Sequence, residues 1–160
     1  MAHRLADLGL PVITQPGFLF SKGDQYLADL TRTELGNLYR FAGLQHHGVC
    51  VAASSDAPYG AVNPWQIIAS AATRRTRSGA MLGEGEHVTA EEALCGYLTP
   101  SNRLNQNVSF AQTRSIKVGM PADLCILRGE WFERRGEAGE IEVRATLIGG
   151  SVVFDSEQDR

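Results

Sequence analysis

The sequence predicts an α/β chain in which two β/α units of a parallel sheet are followed by a β-rich tail. Three observations predict it. Two short apolar runs, VIT at 12–14 and VCVAA at 49–53, are each followed by loop and helical patterns, with enough residues between them for a crossover connection. The second run is continuously apolar with β-branched residues, as in a parallel strand covered on both faces. After residue 107 the helical period disappears, and short strand-type strings separated by turn residues replace it. At 160 residues the chain fits about one domain's worth of core.

The elements follow in order. RLADLGL reads as the tail of a helix broken at Gly9, Leu10 and Pro11; the run at 12–14 is a strand stopped by Pro16 and Gly17. Residues 18–33, polar around Lys22, Gly23 and Asp24, read as a long loop with one short helix that could cover a site. Leu35, Leu38, Phe41, Ala42 and Leu44 recur at helical spacing and predict one helix of about 14 residues with Gly48 as its stop. The strand at 49–53 follows, then SSDAPYGAVNP. Asn63 and Pro64 are a cap and first residue for WQIIASAATRR. Thr89 and Glu92 form a capping box that opens TAEEALCGYL, and Thr99 and Pro100 open one further turn. In the tail, SIKVGMPADLCIL and VRATLIGGSVVFD read as strands, with Gly149 and Gly150 as a two-residue hairpin turn and 129–142 as a solvated loop. The division expected is 1–107 for the β/α units and 108–160 for the tail.

Composition excludes several function classes. An apolar share of 43% and a charged share of 21% exclude disorder, and a net charge of −3 gives no surface suited to a nucleic-acid backbone. Arg74, Arg75 and Arg77 cluster at a helix end, which is expected to be solvated, with an anion site as the alternative. No apolar stretch is long enough to cross a bilayer, and MAHRLADLGL is charged where a signal peptide is apolar, so no membrane partner and a cytoplasmic location are expected. Cys50, Cys95 and Cys125 are few, scattered and set among apolar neighbours, and are expected to be reduced core residues rather than disulfides or a zinc site.

Asp56 stands out because it follows a buried strand directly, where active sites of parallel β/α architectures form; an Asp there can also simply cap a turn. Gln15 holds the equivalent place after the first strand, and can either line a pocket and bond substrate or partner backbone. Ser54 and Ser55 are expected to form the turn rather than orient the carboxylate. Trp65, Tyr59 and Tyr97 are expected to pack. His46 and His47, adjacent at a helix end, and His87 and His3 are expected at the surface. GEG at 83–85 follows no strand and is not a phosphate loop.

Four strings stand together in one order: PVITQP; HHGVCVAASSDAPYGAVNPWQIIASAATRR; HVTAEEALCGYLTPSNRLN; and SIKVGMPADLCILRGEW with VRATLIGGSVVFD. On these strings the chain resembles the C-terminal part of an amidohydrolase-superfamily enzyme, of the branch of large metal-dependent hydrolases with long inserted loops. The resemblance spans most of residues 5–154. It implies the last two β/α units, strands seven and eight with their following helices, of a (β/α)8 TIM-type barrel, plus the C-terminal strands of a composite β-sandwich. It also implies that Asp56 matches the family's aspartate after strand eight, a metal ligand that takes a proton from the attacking water.

The departures are as informative. The His-x-His pair, the bridging residue of strand four and the histidines of strands five and six have no counterpart upstream of residue 11, and a complete barrel takes about 250 residues. What is expected is a C-terminal fragment of an enzyme that hydrolyses amide or cyclic-amide C–N bonds in small molecules. The divalent metal, zinc, is expected to belong to the complete enzyme and to be absent from this piece, which is expected to be inactive alone. Its partners are expected to be a missing N-terminal half or further copies in a homo-oligomer, because barrel strands without neighbours expose unpaired edges. The alternative is a non-catalytic interaction or oligomerisation module descended from such an enzyme.

Overall fold

The computed structural model describes residues 1–98, 116–129 and 141–157. The expected boundary at 107/108, the turn after Thr99 and most of the loop at 129–142 lie outside the described residues. The architecture is mixed α/β: α1 (Ala2–Asp7), β1 (Val12–Thr14), α2 (Gly17–Asp29), α3 (Arg32–Gly36), α4 (Ala42–His46), β2 (Val51–Ala53), α5 (Pro64–Thr73), α6 (Ala90–Tyr97), then β3 (Leu124–Leu127), β4 (Val143–Ile148) and β5 (Ser151–Asp155). β1 and β2 pair in parallel, Val12 with Val51 through Thr14 with Ala53. β3, β4 and β5 form an antiparallel sheet in that order. No helix among the described residues is long and apolar enough to cross a membrane.

Local signals set the ends of several elements. Asn63 Oδ1 accepts the Trp65 amide at 2.9 Å and Pro64 begins α5. The Thr89 and Glu92 capping box is complete at the start of α6. Thr31 and Glu34 make a second capping box, at α3. Gly149 and Gly150 have φ of 56° and 83°, the two positive values a type I′ turn demands, and they join β4 to β5.

Two of the expected elements need correction. Residues 18–33, expected as a long loop with one short helix, are instead mostly helical, in the 13-residue α2 (Gly17–Asp29). A Cβ at Gly23 would sit 2.6 Å from Thr76 Cγ2 and 3.0 Å from Leu82 Cδ1, so the glycine is the point where the helix closes on the 74–82 loop. Asp24 fixes the contact by accepting the Ser78 hydroxyl at 2.5 Å and its amide at 3.1 Å. Burial of Phe18 and Leu19 secures the first turn. Conversely, the single helix expected after Glu34 is two short helices, α3 and α4, separated by a turn in which Tyr39 has φ +44°.

The core lies where α4, α5, α6 and β2 meet: Phe41, Leu44, Val49, Val51, Trp65, Ile68, Ala71, Val88 and Ala93 form one buried cluster. Ile141 belongs to it, and Leu127 and Val143 pack against it, which ties the tail sheet to the β/α units. The cysteines are outside disulfides, as expected, but do not sit in the core: Cys50 is half-buried, and Cys95 and Cys125 are exposed. Neighbouring apolar residues in sequence do not decide which side of a strand or helix a cysteine occupies. The outer part of the tail sheet is open, with Ile148, Val152, Val153 and Phe154 all exposed.

Gly96 brings α6 against Phe41, whose ring is 1% exposed; a Cβ at 96 would fall within the contact radius of that ring. Gly96→Ala should therefore cost about 1–3 kcal/mol through overpacking, despite the better helix propensity of alanine. Urea denaturation checks this, and an unchanged or raised midpoint would show that the ring can move aside.

Candidate active site

The parallel pairing brings the C-terminal ends of β1 and β2 together: the Ser54 amide donates to the Thr14 carbonyl at 2.9 Å, one residue before Gln15 on one side and two before Asp56 on the other. Gln15 is half-buried, and its carbonyl accepts the Phe18 amide at 3.2 Å as α2 begins. Asp56 is exposed and has φ +55°, a left-handed conformation that Asp tolerates better than most residues. Its carbonyl accepts the Gly60 amide at 2.8 Å, closing a tight loop. Gly60 is required in that loop, since any Cβ would collide with the Ser55 carbonyl oxygen. The Ser55 hydroxyl accepts the Ala57 amide at 3.2 Å, the turn-forming role expected for it.

Beside this loop lies a pocket of about 200 Å³ lined by Phe18, Lys22, Gln25, Tyr26, Tyr39 and Tyr59. Tyr59 was expected to be a packing residue. It is 75% exposed, with one face toward Phe18 at a centroid distance of 5.6 Å and the Lys22 ammonium 5.8 Å from its ring centre. The Tyr26 and Tyr39 hydroxyls hydrogen-bond each other at 2.9 Å. Burial, then the bond to Tyr26, pushes the Tyr39 phenol well above its usual value, so it stays protonated.

Tyr39 is held in place from beneath by two buried ions that no sequence pattern revealed. Arg74, expected at a solvated helix end, is 1% exposed. It takes the left-handed C-cap position of α5, φ +50°, which turns its side chain inward. Its guanidinium donates to the carbonyls of Leu82 at 2.6 Å, Tyr39 at 3.2 Å and Leu38 at 2.8 Å. Burial lowers its pKa to about 10, so it remains a cation at neutral pH. Glu86, in the 3₁₀ turn Glu84–Glu86, takes the other end of the same segment: it accepts Arg40 Nε at 2.6 Å and the amides of Phe41 at 2.9 Å and Gly43 at 2.8 Å. These bonds explain why the helix expected across 34–47 breaks, because the side chains satisfy the backbone groups that a continuous helix would have paired.

Burial opposes the charge on Glu86, but the bonds from Arg40, Gly43 and Phe41 outweigh it and hold its carboxyl below the ordinary 4.5. A carboxylate with a depressed folded pKa contributes stability above its unfolded value and loses it as pH falls through the folded one. The stability gap between wild type and Glu86→Gln should accordingly be full at pH 7 and shrink below about pH 4.5. Thermal unfolding of both proteins across that range checks it; a gap independent of pH would contradict the assignment.

The histidines were expected at the surface, and two of them meet: His3, inside α1, stacks on His47 at 4.1 Å, and His47 precedes β2. Burial, then the neighbouring His3, lowers the His47 pKa. Among the described residues no three His, Cys, Asp or Glu side chains come together as a metal-binding group. A catalytic zinc takes about three protein ligands, so the donor set described here does not make a complete metal site, and Asp56 could supply only part of one.

The model of the amidohydrolase family matches residues 2–154. The chain belongs to the amidohydrolase family. Members of this family are generally metal-dependent. Over 158 residues this amidohydrolase chain is 31% identical to an N-substituted formamide deformylase of Arthrobacter pascens, a match covering 96% of the chain and 28% of that protein. The chain thus spans little more than a quarter of the length of the relative it matches. No solved structure matches it.

Proposed function

We propose that this chain forms part of a metal-dependent hydrolase that cleaves C–N bonds in small amide-type molecules, with Asp56 as a metal ligand and the base that receives the proton of the attacking water. The observation that carries the reading is the position of Asp56, in the loop leaving β2 at the end of a parallel pair. Reactive groups of parallel β/α folds gather at that end. The amidohydrolase membership and the deformylase relative support the C–N bond as the target. Zinc is the metal proposed; bound, it supplies Lewis acidity, and its other ligands come from outside the described residues. Gln15, at the neighbouring strand end, hydrogen-bonds substrate in this reading.

β1 and β2 are the seventh and eighth strands of a barrel, and the 108–160 segment completes a sandwich. A two-stranded sheet is marginal alone, and Ile13 of β1 is 52% exposed. Further strands, from a longer chain or from another copy, cover that face. In this reading the 160 residues alone should be inactive and should retain less than one zinc per chain, which elemental mass spectrometry after dialysis checks. The decisive test is Asp56→Asn in the protein that carries this chain, assayed on an N-substituted formamide. Lost turnover with an intact fold supports the reading; full turnover overturns it and favours a non-catalytic interaction module.

A further inference from the structure

The pocket beside Asp56 has no role in the proton transfer, yet its walls have a definite chemistry. α2 carries Phe18, Lys22, Gln25 and Tyr26, spaced by four, three and one residues, so that they share one face of the helix. The α3–α4 turn adds Tyr39, and Tyr59 comes from the loop that holds Asp56 three residues earlier. Four of the six lining residues are aromatic. Phe18 is in tilted contact with both Tyr39, at 5.8 Å, and Tyr59, at 5.6 Å. Such walls favour a planar π-system, which can meet ring faces and edges together, over an aliphatic group of equal area.

The polar groups complete the selection. Among the described residues Lys22 is the one charged residue in the lining, and it is positive. The Tyr26–Tyr39 hydroxyl pair spends one proton on its internal bond and keeps the other for a ligand. The Gln25 amide is a third donor source. A group that accepts hydrogen bonds and carries negative charge satisfies all of these, whereas a cation would meet the ammonium unpaired. The volume of about 200 Å³ is below the ~300–1,000 Å³ of pockets for drug-sized ligands, which limits the occupant to about one ring. We infer that this pocket is a subsite for a single aromatic ring bearing an anionic or strongly hydrogen-bond-accepting substituent, and that it seats the non-reacting end of the substrate beside Asp56. As a substrate subsite it rests on the hydrolase reading; as a binding site it does not.

The test is binding without turnover. Phenylacetate, cyclohexylacetate and benzylamine are titrated separately into the protein that carries this chain, with backbone amide shifts followed by NMR. Phenylacetate should bind saturably, with the largest shifts in the first half of α2 and around Tyr39 and Tyr59. Cyclohexylacetate, with the same charge and no π-system, should bind several-fold more weakly, and benzylamine should not saturate. Lys22→Gln, at an exposed position, should weaken phenylacetate about tenfold, and Tyr59→Ala should weaken it at least as much. Equal binding of cyclohexylacetate or benzylamine, or shifts confined to residues elsewhere, would overturn the assignment, as would no saturable binding of phenylacetate. Because the assay needs neither metal nor catalysis, its failure leaves the role of Asp56 standing, and an inactive Asp56 leaves the pocket standing.

Discussion

Arg74→Met should lower the unfolding free energy by about 3 kcal/mol or more, measured by urea denaturation at neutral pH. Methionine fills much of the same volume, so the cost is not that of a cavity. It arises because the carbonyls of Leu38, Tyr39 and Leu82 lose their shared donor in the interior. Each buried polar group left unpaired costs about 1–3 kcal/mol. Glu86 lies close enough to help hold the Arg74 charge, and it loses that companion as well. Lysine should restore only part of the loss, because a point ammonium cannot reproduce a planar fork directed at separate carbonyls. A change below about 0.5 kcal/mol would mean that water replaces the guanidinium and that the turn does not depend on it. The substitution should also loosen Tyr39, so pocket binding should weaken together with stability.

Asp56→Asn should reduce hydrolysis of an N-substituted formamide by about 10²–10⁴-fold, with the unfolding transition unchanged. Asparagine preserves shape and tolerates the left-handed backbone at this position, φ +55°. The loop geometry set by the Asp56 carbonyl and Gly60 involves only backbone atoms and survives the change. What disappears is the negative charge and the capacity to receive a proton. Asp56→Ala would add backbone strain to the loss of charge and would confuse the two causes. Glu at this position would keep the charge but displace it by one methylene, so partial activity there and none with Asn would separate charge from placement. Activity in the Asn variant comparable to wild type would remove Asp56 from the chemistry.

Much of the fold was legible in the sequence because it rests on local rules. The strand at 12–14 and its partner at 51–53, the Asn63–Pro64 helix start, the Thr89–Glu92 box and the Gly149–Gly150 turn each follow from one or a few residues whose backbone preference decides the conformation. The position of Asp56 was legible for the same reason, since a polar residue directly after an apolar strand falls at the strand's end whatever surrounds it. The pocket was not. Phe18, Lys22 and Tyr26 are separated from Tyr39 and Tyr59 by turns whose direction no short window encodes, and Thr76, against which Gly23 packs, lies 53 residues on.

The sequence by itself determined the two parallel strands, the hairpin tail, the capped starts of α5 and α6, the family, and which carboxylate follows the second strand. Only the tertiary structure decided that α2 is a helix, that α3 and α4 are separate, and that Arg74 turns inward. The physical reason is the same in each case. A cap or a turn is satisfied by atoms a few residues away, whereas the carbonyls of Leu38 and Tyr39 and the amides of Phe41 and Gly43 find their partners on Arg74 and Glu86, more than thirty residues distant. Those partnerships exist only once the chain has closed on itself.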